Sequence, residues 1–179
     1  HHNALDQDFY LRISLELHLK RLLVGGFEKV FEIGRLFRNE GIDREHLQEY
    51  DDVEVYWAYG DLDKGIALTE KMIKAIVFNV MGSYETVFVL FSIDWGQAYP
   101  RVEYFTELEK ETGLNLSDEV SVKDLMKKAD ELGIKYEDSY GKGRMIDTIY
   151  KKTVRQRLIQ PCILVGHPIE VSPLSKTDP

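Results

Sequence analysis

The sequence predicts a mixed α+β fold, with helices and strands interleaved along 179 residues. Apolar residues recur at helical spacing over 15–24, 62–81 and about 142–158, whereas 28–38 and 53–59 alternate apolar with polar, as half-buried strands do. Glycine, proline and aspartate punctuate these segments, and no internal repeat or low-complexity tract interrupts them.

Taken in order, Leu15, Leu19, Leu22 and Leu23 share one face of a first helix, and Gly25-Gly26 supplies its C-terminal stop. The two alternating strands follow, joined by a charged connection over 39–52 that is long for a hairpin. Asp61 can cap the next helix, in which Leu62, Ile66, Thr69, Ile73, Ile76, Val77 and Val80 form one face before Gly82. Residues 86–94 read as a single buried strand. Short helices rich in Glu and Lys then fill 106–133, with Ser121 a good cap and a narrow stripe of Leu125, Ala129 and Leu132, so that about 103–141 is expected to be a peripheral helical insertion. Pro161 ends the last helix, 162–165 makes a short apolar strand, and 173–179 are polar without pattern.

Composition narrows the function classes. Hydrophobic residues make up 44% of the chain, enough to close a core, which excludes wholesale disorder and leaves one domain, or a piece of one, as the expectation. The longest apolar run, near 87–93, is far short of the roughly 20 residues a membrane helix needs. No signal-peptide pattern opens the chain, and a lone Cys162 has neither a disulfide partner nor zinc-type spacing, which fits a reducing cytoplasm. With 23 Lys+Arg against 31 Asp+Glu, the net charge of -8 argues against holding nucleic acid by bulk charge. Cys162 reads as a small core side chain, and Trp57 with Tyr59 as core rather than a base-stacking platform.

Alternation divides the strands into faces. Val30, Glu32, Gly34, Leu36, Arg38 and Glu40 share one side of the first and Phe31, Ile33, Arg35 and Phe37 the other; Glu54, Tyr56 and Ala58 oppose Val53, Val55, Trp57 and Tyr59 in the second. Antiparallel pairing is expected to give the strongly apolar sides to the core. The other face, carrying Arg38, Glu32, Glu40, Glu54 and Tyr56 around Gly34, is either plainly solvated or a site. A planar guanidinium suits phosphate or carboxylate, and glutamates suit an ammonium, which together describe a nucleotide-plus-cation site.

Phe31-Glu-Ile-Gly-Arg-Leu-Phe-Arg-Asn-Glu40-Gly-Ile-Asp-Arg-Glu-His46 and Glu54-Val-Tyr56 resemble motif 2 of the class II aminoacyl-tRNA synthetases, specifically the lysyl-tRNA synthetases. The flanks agree: His2-Asn3-Ala4-Leu5-Asp6, Tyr10-Leu11-Arg12-Ile13, Leu19-Lys20-Arg21-Leu22 and Gly25-Gly26-Phe27-Glu28 before it, and Gly143-Arg144, Leu158-Ile159-Gln160-Pro161 and the run from His167 to Leu174 near the end. Ordered matches in three separated segments are more specific than one motif, although the resemblance weakens over 84–140. It implies the class II catalytic fold, an antiparallel sheet flanked by helices, of which 1–179 is an incomplete part.

Roles follow from the resemblance residue by residue. Arg38 is expected to bind the α-phosphate of ATP and stabilise the charge gathered there as the lysine carboxylate attacks. Glu40 is expected to accept from the adenine amino group, His46 to lie near the terminal phosphates, and Tyr50 to stack on adenine where the family usually has phenylalanine. Lysine recognition falls to Glu54 at the ε-ammonium, Tyr56 beside it, and Glu16 near the α-amino group, because a buried ammonium needs a carboxylate partner. The loop departs from the family at Leu47-Gln48, where Asn-Pro is common, and at Asp51-Asp52.

Motif 1, which builds the family's dimer interface, and an anticodon-binding barrel would lie before His1; motif 3 and the magnesium-holding carboxylates would follow Pro179. The resemblance thus implies a homodimeric parent that uses L-lysine, ATP, Mg2+ and tRNA(Lys), no metal ligand within this chain, and an inactive isolated fragment. Rival expectations are an aspartyl- or asparaginyl-tRNA synthetase, a paralogue that transfers lysyl groups to a translation factor, and a non-catalytic synthetase-like module.

Overall fold

The computed structural model describes residues 1–39, 41, 46–116 and 119–176. The chain forms two compact units, His1–Gly65 and Ile66–Pro179.

The first unit packs one helix on one antiparallel strand pair. Helix α1, Glu16–Val24, ends as expected: Gly26 takes φ 99°, Phe27 N–H donates to the Leu22 carbonyl at 3.1 Å and Gly26 N–H to Leu23 at 3.0 Å, the paired bonds of a Schellman cap. Strands β1, Lys29–Phe37, and β2, Glu49–Trp57, pair antiparallel with Glu32 opposite Glu54, Gly34 opposite Asp52 and Leu36 opposite Tyr50. The ladder continues through Arg38 N–H to the Gln48 carbonyl at 2.9 Å, so Leu47-Gln48 leads straight into β2.

The covered face of this ribbon is the reverse of the expected one. Leu15 and Leu19 of the α1 region pack on Leu36, with Val30, Tyr50 and Tyr56 around them. The strongly apolar side stays open, with Phe31 68% and Ile33 69% exposed. Val30, Leu36 and the two tyrosine rings offer enough apolar surface for a helix, while the polar ends on that face pair at its rim, so covering it strands no charge. Tyr59 is likewise no core residue: it occupies a turn at φ 59° and is 97% exposed, and Lys29 Nζ lies 4.1 Å from the Trp57 ring centre.

Helix α2, Leu62–Met81, begins where Asp61 accepts from Lys64 N–H at 2.8 Å and ends before Gly82 at φ 71°. The single strand expected over 86–94 is instead a hairpin of β3, Glu85–Phe88, and β4, Phe91–Asp94. Val89 turns at φ 58° and Leu90 is 90% exposed, so an unbroken apolar run concealed the bend. Strand β5, Arg101–Glu103, pairs parallel with β6, Ile163–Val165, giving a mixed α+β unit rather than a purely antiparallel one.

The best-packed core of the second unit lies among α3, Tyr104–Thr112, α4, Val122–Glu131, and α5, Lys142–Thr153. Leu108, Leu125, Ala129, Met145 and Ile149 are wholly buried there, and Tyr104 stacks on Tyr150 with ring centres 4.0 Å apart. Ser121 caps α4 in a reciprocal box with Asp124, as its sequence position suggests, whereas Leu132 of the predicted stripe is 39% exposed. Cys162 is partly buried, which raises its thiol pKa.

Leu125 of α4 contacts the same core as α5, so Leu125→Ala is expected to cost about 3 kcal/mol in chemical denaturation, against under about 0.5 for Leu90→Ala at the hairpin tip. Equal, small effects would show that α4 adds nothing to this core.

Candidate functional site

The site-bearing residues of the first unit gather where the segment ahead of α1 crosses the covered face of β1 and β2. Phe37 N–H donates to the Arg12 carbonyl at 3.0 Å, and the next residues are bonded one after another. Arg38 Nε donates to the Ile13 carbonyl at 3.2 Å. Ser14 Oγ donates to Glu54 Oε1 at 3.2 Å and accepts from Glu16 N–H at 3.0 Å. Leu15 N–H donates to the same Glu54 oxygen at 3.1 Å. Four consecutive residues therefore tie the guanidinium expected at phosphate to the carboxylate expected at the lysine ammonium.

Glu54 is completed from its own strand, where Tyr56 OH donates to Oε2 at 2.8 Å. Desolvation pushes the carboxyl pKa up, but the bonds from Tyr56, Leu15 N–H and Ser14 and the charge of Arg38 more than reverse this and hold it below the usual range. Burial, then the neighbouring Glu54 and Glu16, push the Tyr56 phenol up to about 12. Tyr56 thus stays a donor and Glu54 an anion, a combination that receives a cation. Glu16 opens α1 and pairs with Lys20 one turn on.

Other predicted residues lie further from this point. Tyr50 is half-buried beside α1, and the Arg38 guanidinium sits 5.6 Å from its ring centre. His46 is exposed. Glu40 lies outside the described residues. Asp51 faces the open side of β2, where Arg35 holds it below the usual carboxylate range by hydrogen bonding; Asp52 faces Gly34.

Ser14 and Arg12 received no role from the sequence. Arg12 Nε donates to the Arg35 carbonyl at 2.8 Å and Nη1 meets Glu32 at 2.5 Å. Its guanidinium lies so close over Gly34 that a Cβ there would stand 3.0 Å from Cζ. A glycine on the covered face of a strand was the available signal, since it admits close approach of another group.

The lowered Glu54 value lets the site be read through stability. A folded-state pKa below the unfolded value near 4.5 adds stability that is present above that pH and is lost as pH falls through the folded value. The stability difference between wild type and Glu54→Gln is expected to be flat above about pH 5 and to shrink on further acidification. A difference that grows in acid would contradict the bonding around Glu54.

A family model described as tRNA synthetases class II (D, K and N) matches residues 1–179. The chain is 44% identical over 176 residues to a lysine–tRNA ligase of Pediococcus pentosaceus, covering 98% of this chain and 35% of that protein. Corresponding enzymes of Lactiplantibacillus plantarum and Enterococcus faecalis are 43% and 41% identical, over 98% and 100% of this chain and 35% and 36% of theirs. The chain thus spans about a third of the length of these curated relatives. With a match from end to end and these relatives, the chain belongs to the class II tRNA synthetases of the D, K and N group.

Proposed function

We propose that this chain is the central part of a lysine–tRNA ligase catalytic domain, the part that receives L-lysine and ATP. The observation that carries this is the bonding of Glu54, held by Tyr56 of its own strand and by Ser14 and Leu15 of the segment that also holds Arg38. An aspartate or asparagine site would require a cation or an amide reader where Glu54 stands, and the relatives are named as lysine–tRNA ligases.

In this reading the ε-ammonium of lysine pairs with Glu54 and lies beside Tyr56, while Glu16 exchanges Lys20 for the α-amino group. The lysine carboxylate oxygen then attacks the α-phosphorus of ATP, forming the lysyl-adenylate as pyrophosphate leaves. Arg38 stabilises charge that grows on the equatorial oxygens, more in the transition state than before it. Its Nε bond to Ile13 holds the guanidinium in place, which lowers the reorganisation required. His46 serves the terminal phosphates, Tyr50 and Glu40 the adenine. A hydroxyl of the tRNA terminal ribose next attacks the activated carbonyl and AMP leaves.

The class II sheet beyond β1 and β2, a homodimeric parent, tRNA(Lys) as acceptor and a cytoplasmic location belong to the same proposal. No helix among the described residues is long and apolar enough to cross a membrane. Nor do the described residues gather three or more His, Cys, Asp or Glu side chains able to hold a metal, so no residue here is assigned to magnesium and no step is built on it.

Amino-acid-dependent ATP–pyrophosphate exchange by the full-length protein tests this. Exchange is expected with lysine, with kcat reduced about a hundredfold or more by Arg38→Ala and none from the isolated 179-residue chain. Exchange with another amino acid and not lysine, or robust lysine-dependent exchange by the isolated chain, would overturn it.

A further inference from the structure

Two carboxylates face each other across the strands beneath the proposed lysine pocket. Glu32 and Glu54 are direct partners in the β1–β2 register. Side chains so placed have Cβ atoms about 5 Å apart, and like charges there repel. Nothing in the proposed reaction uses Glu32, yet an ammonium arriving at Glu54 would find a second carboxylate within its reach.

We propose that Arg12 is a positioning residue for lysine recognition: it neutralises Glu32 and holds it in place, so that of the two facing carboxylates Glu54, and not Glu32, is the one left to receive the substrate ammonium. The inference rests on the assignment of lysine to Glu54. Three bonds fix Arg12 rather than one: Nη1 to Glu32 at 2.5 Å, Nε to the Arg35 carbonyl at 2.8 Å, and its own carbonyl to Phe37 N–H at 3.0 Å. An isolated surface ion pair has no such backbone anchors, and pairs of that kind contribute little. Gly34 completes the seat, because any side chain there would occupy the space of the guanidinium. The charged groups around Glu54 are then Glu32 from β1, Arg38 just beyond its end, Arg12 from the crossing segment, and Glu16 with Lys20 from α1, with Tyr56 its neutral donor.

The opposed charges make the two single variants differ in kind. In the full-length protein, Glu32→Gln leaves the Arg12 cation to compete with lysine for Glu54, so lysine KM is expected to rise about threefold to fivefold with kcat little changed. Arg12→Gln leaves Glu32 as a second carboxylate that binds the ammonium in the wrong place, so kcat falls about tenfold while lysine KM does not rise. The double variant removes both charges and is expected to recover most of the lost kcat. If Arg12 only supports the fold, Arg12→Gln raises KM for both lysine and ATP and adding Glu32→Gln restores nothing; that result would overturn the inference. Should Arg12→Gln fail to fold, Glu32→Gln decides alone, a raised lysine KM supporting the inference and an unchanged one overturning it. Wild-type protein that gives no lysine-dependent exchange would instead remove the lysine reading, and this inference with it.

Discussion

The carboxylate of Glu54 joins two parts of the first unit that are far apart in sequence. It accepts from Ser14 and Leu15 ahead of α1 and from Tyr56 on its own strand. A partly buried carboxylate is better paired than left without donors, so these bonds hold the crossing segment on the strand ribbon. Once that segment is seated, the Ile13 carbonyl is in place to hold Arg38, and the Arg12 side chain lies across Gly34. The same carboxylate keeps a negative charge after all three donors are counted. In the proposed function, fold stability and cation recognition draw on one group, and its bonds to Ser14 and Leu15 link it to the segment that holds Arg38.

In this chain α1 and the segment before it lie on the mixed face of the ribbon. Its apolar content is modest, but Leu36, Val30 and the rings of Tyr50 and Tyr56 suffice to pack Leu15 and Leu19, and the polar tips at the edge are paired. Hydrophobicity alone would have buried the side with Phe31, Ile33, Val53 and Val55. In this chain, which spans about a third of the length of its relatives, that side is exposed, with Arg35 clamped between Glu49 and Asp51 at its end.

Much of the fold was legible because local chemistry announced it: Gly26 at a helix end, Asp61 and Ser121 at helix starts, and alternation in both strands. Alternation shows which residues share a face and not which face is covered, so the buried side was misjudged. The β3–β4 hairpin escaped notice because Val89 and Leu90 lack the glycine or asparagine that normally marks such a turn. Glu54, Tyr56, Arg38 and Glu16 could be named from the sequence through a motif, and in the structure they gather about one crossing segment. Arg12 and Ser14 could not, since their contacts depend on a strand register and a chain crossing that spacing does not encode. Nor does the net charge of -8 describe this region, where Glu32 is paired with Arg12 and Glu54 is bonded by Ser14, Leu15 and Tyr56.

The most direct measurement is a crystal structure of the full-length protein with L-lysine bound. With Glu54 as the receptor, the ε-ammonium lies about 3 Å from a Glu54 oxygen and beside Tyr56, with the lysine carboxylate turned toward Arg38 and Glu32 still held by Arg12. An ammonium seated on Glu32 or Glu16, with Glu54 bonded only to Ser14, Leu15 and Tyr56, would contradict that.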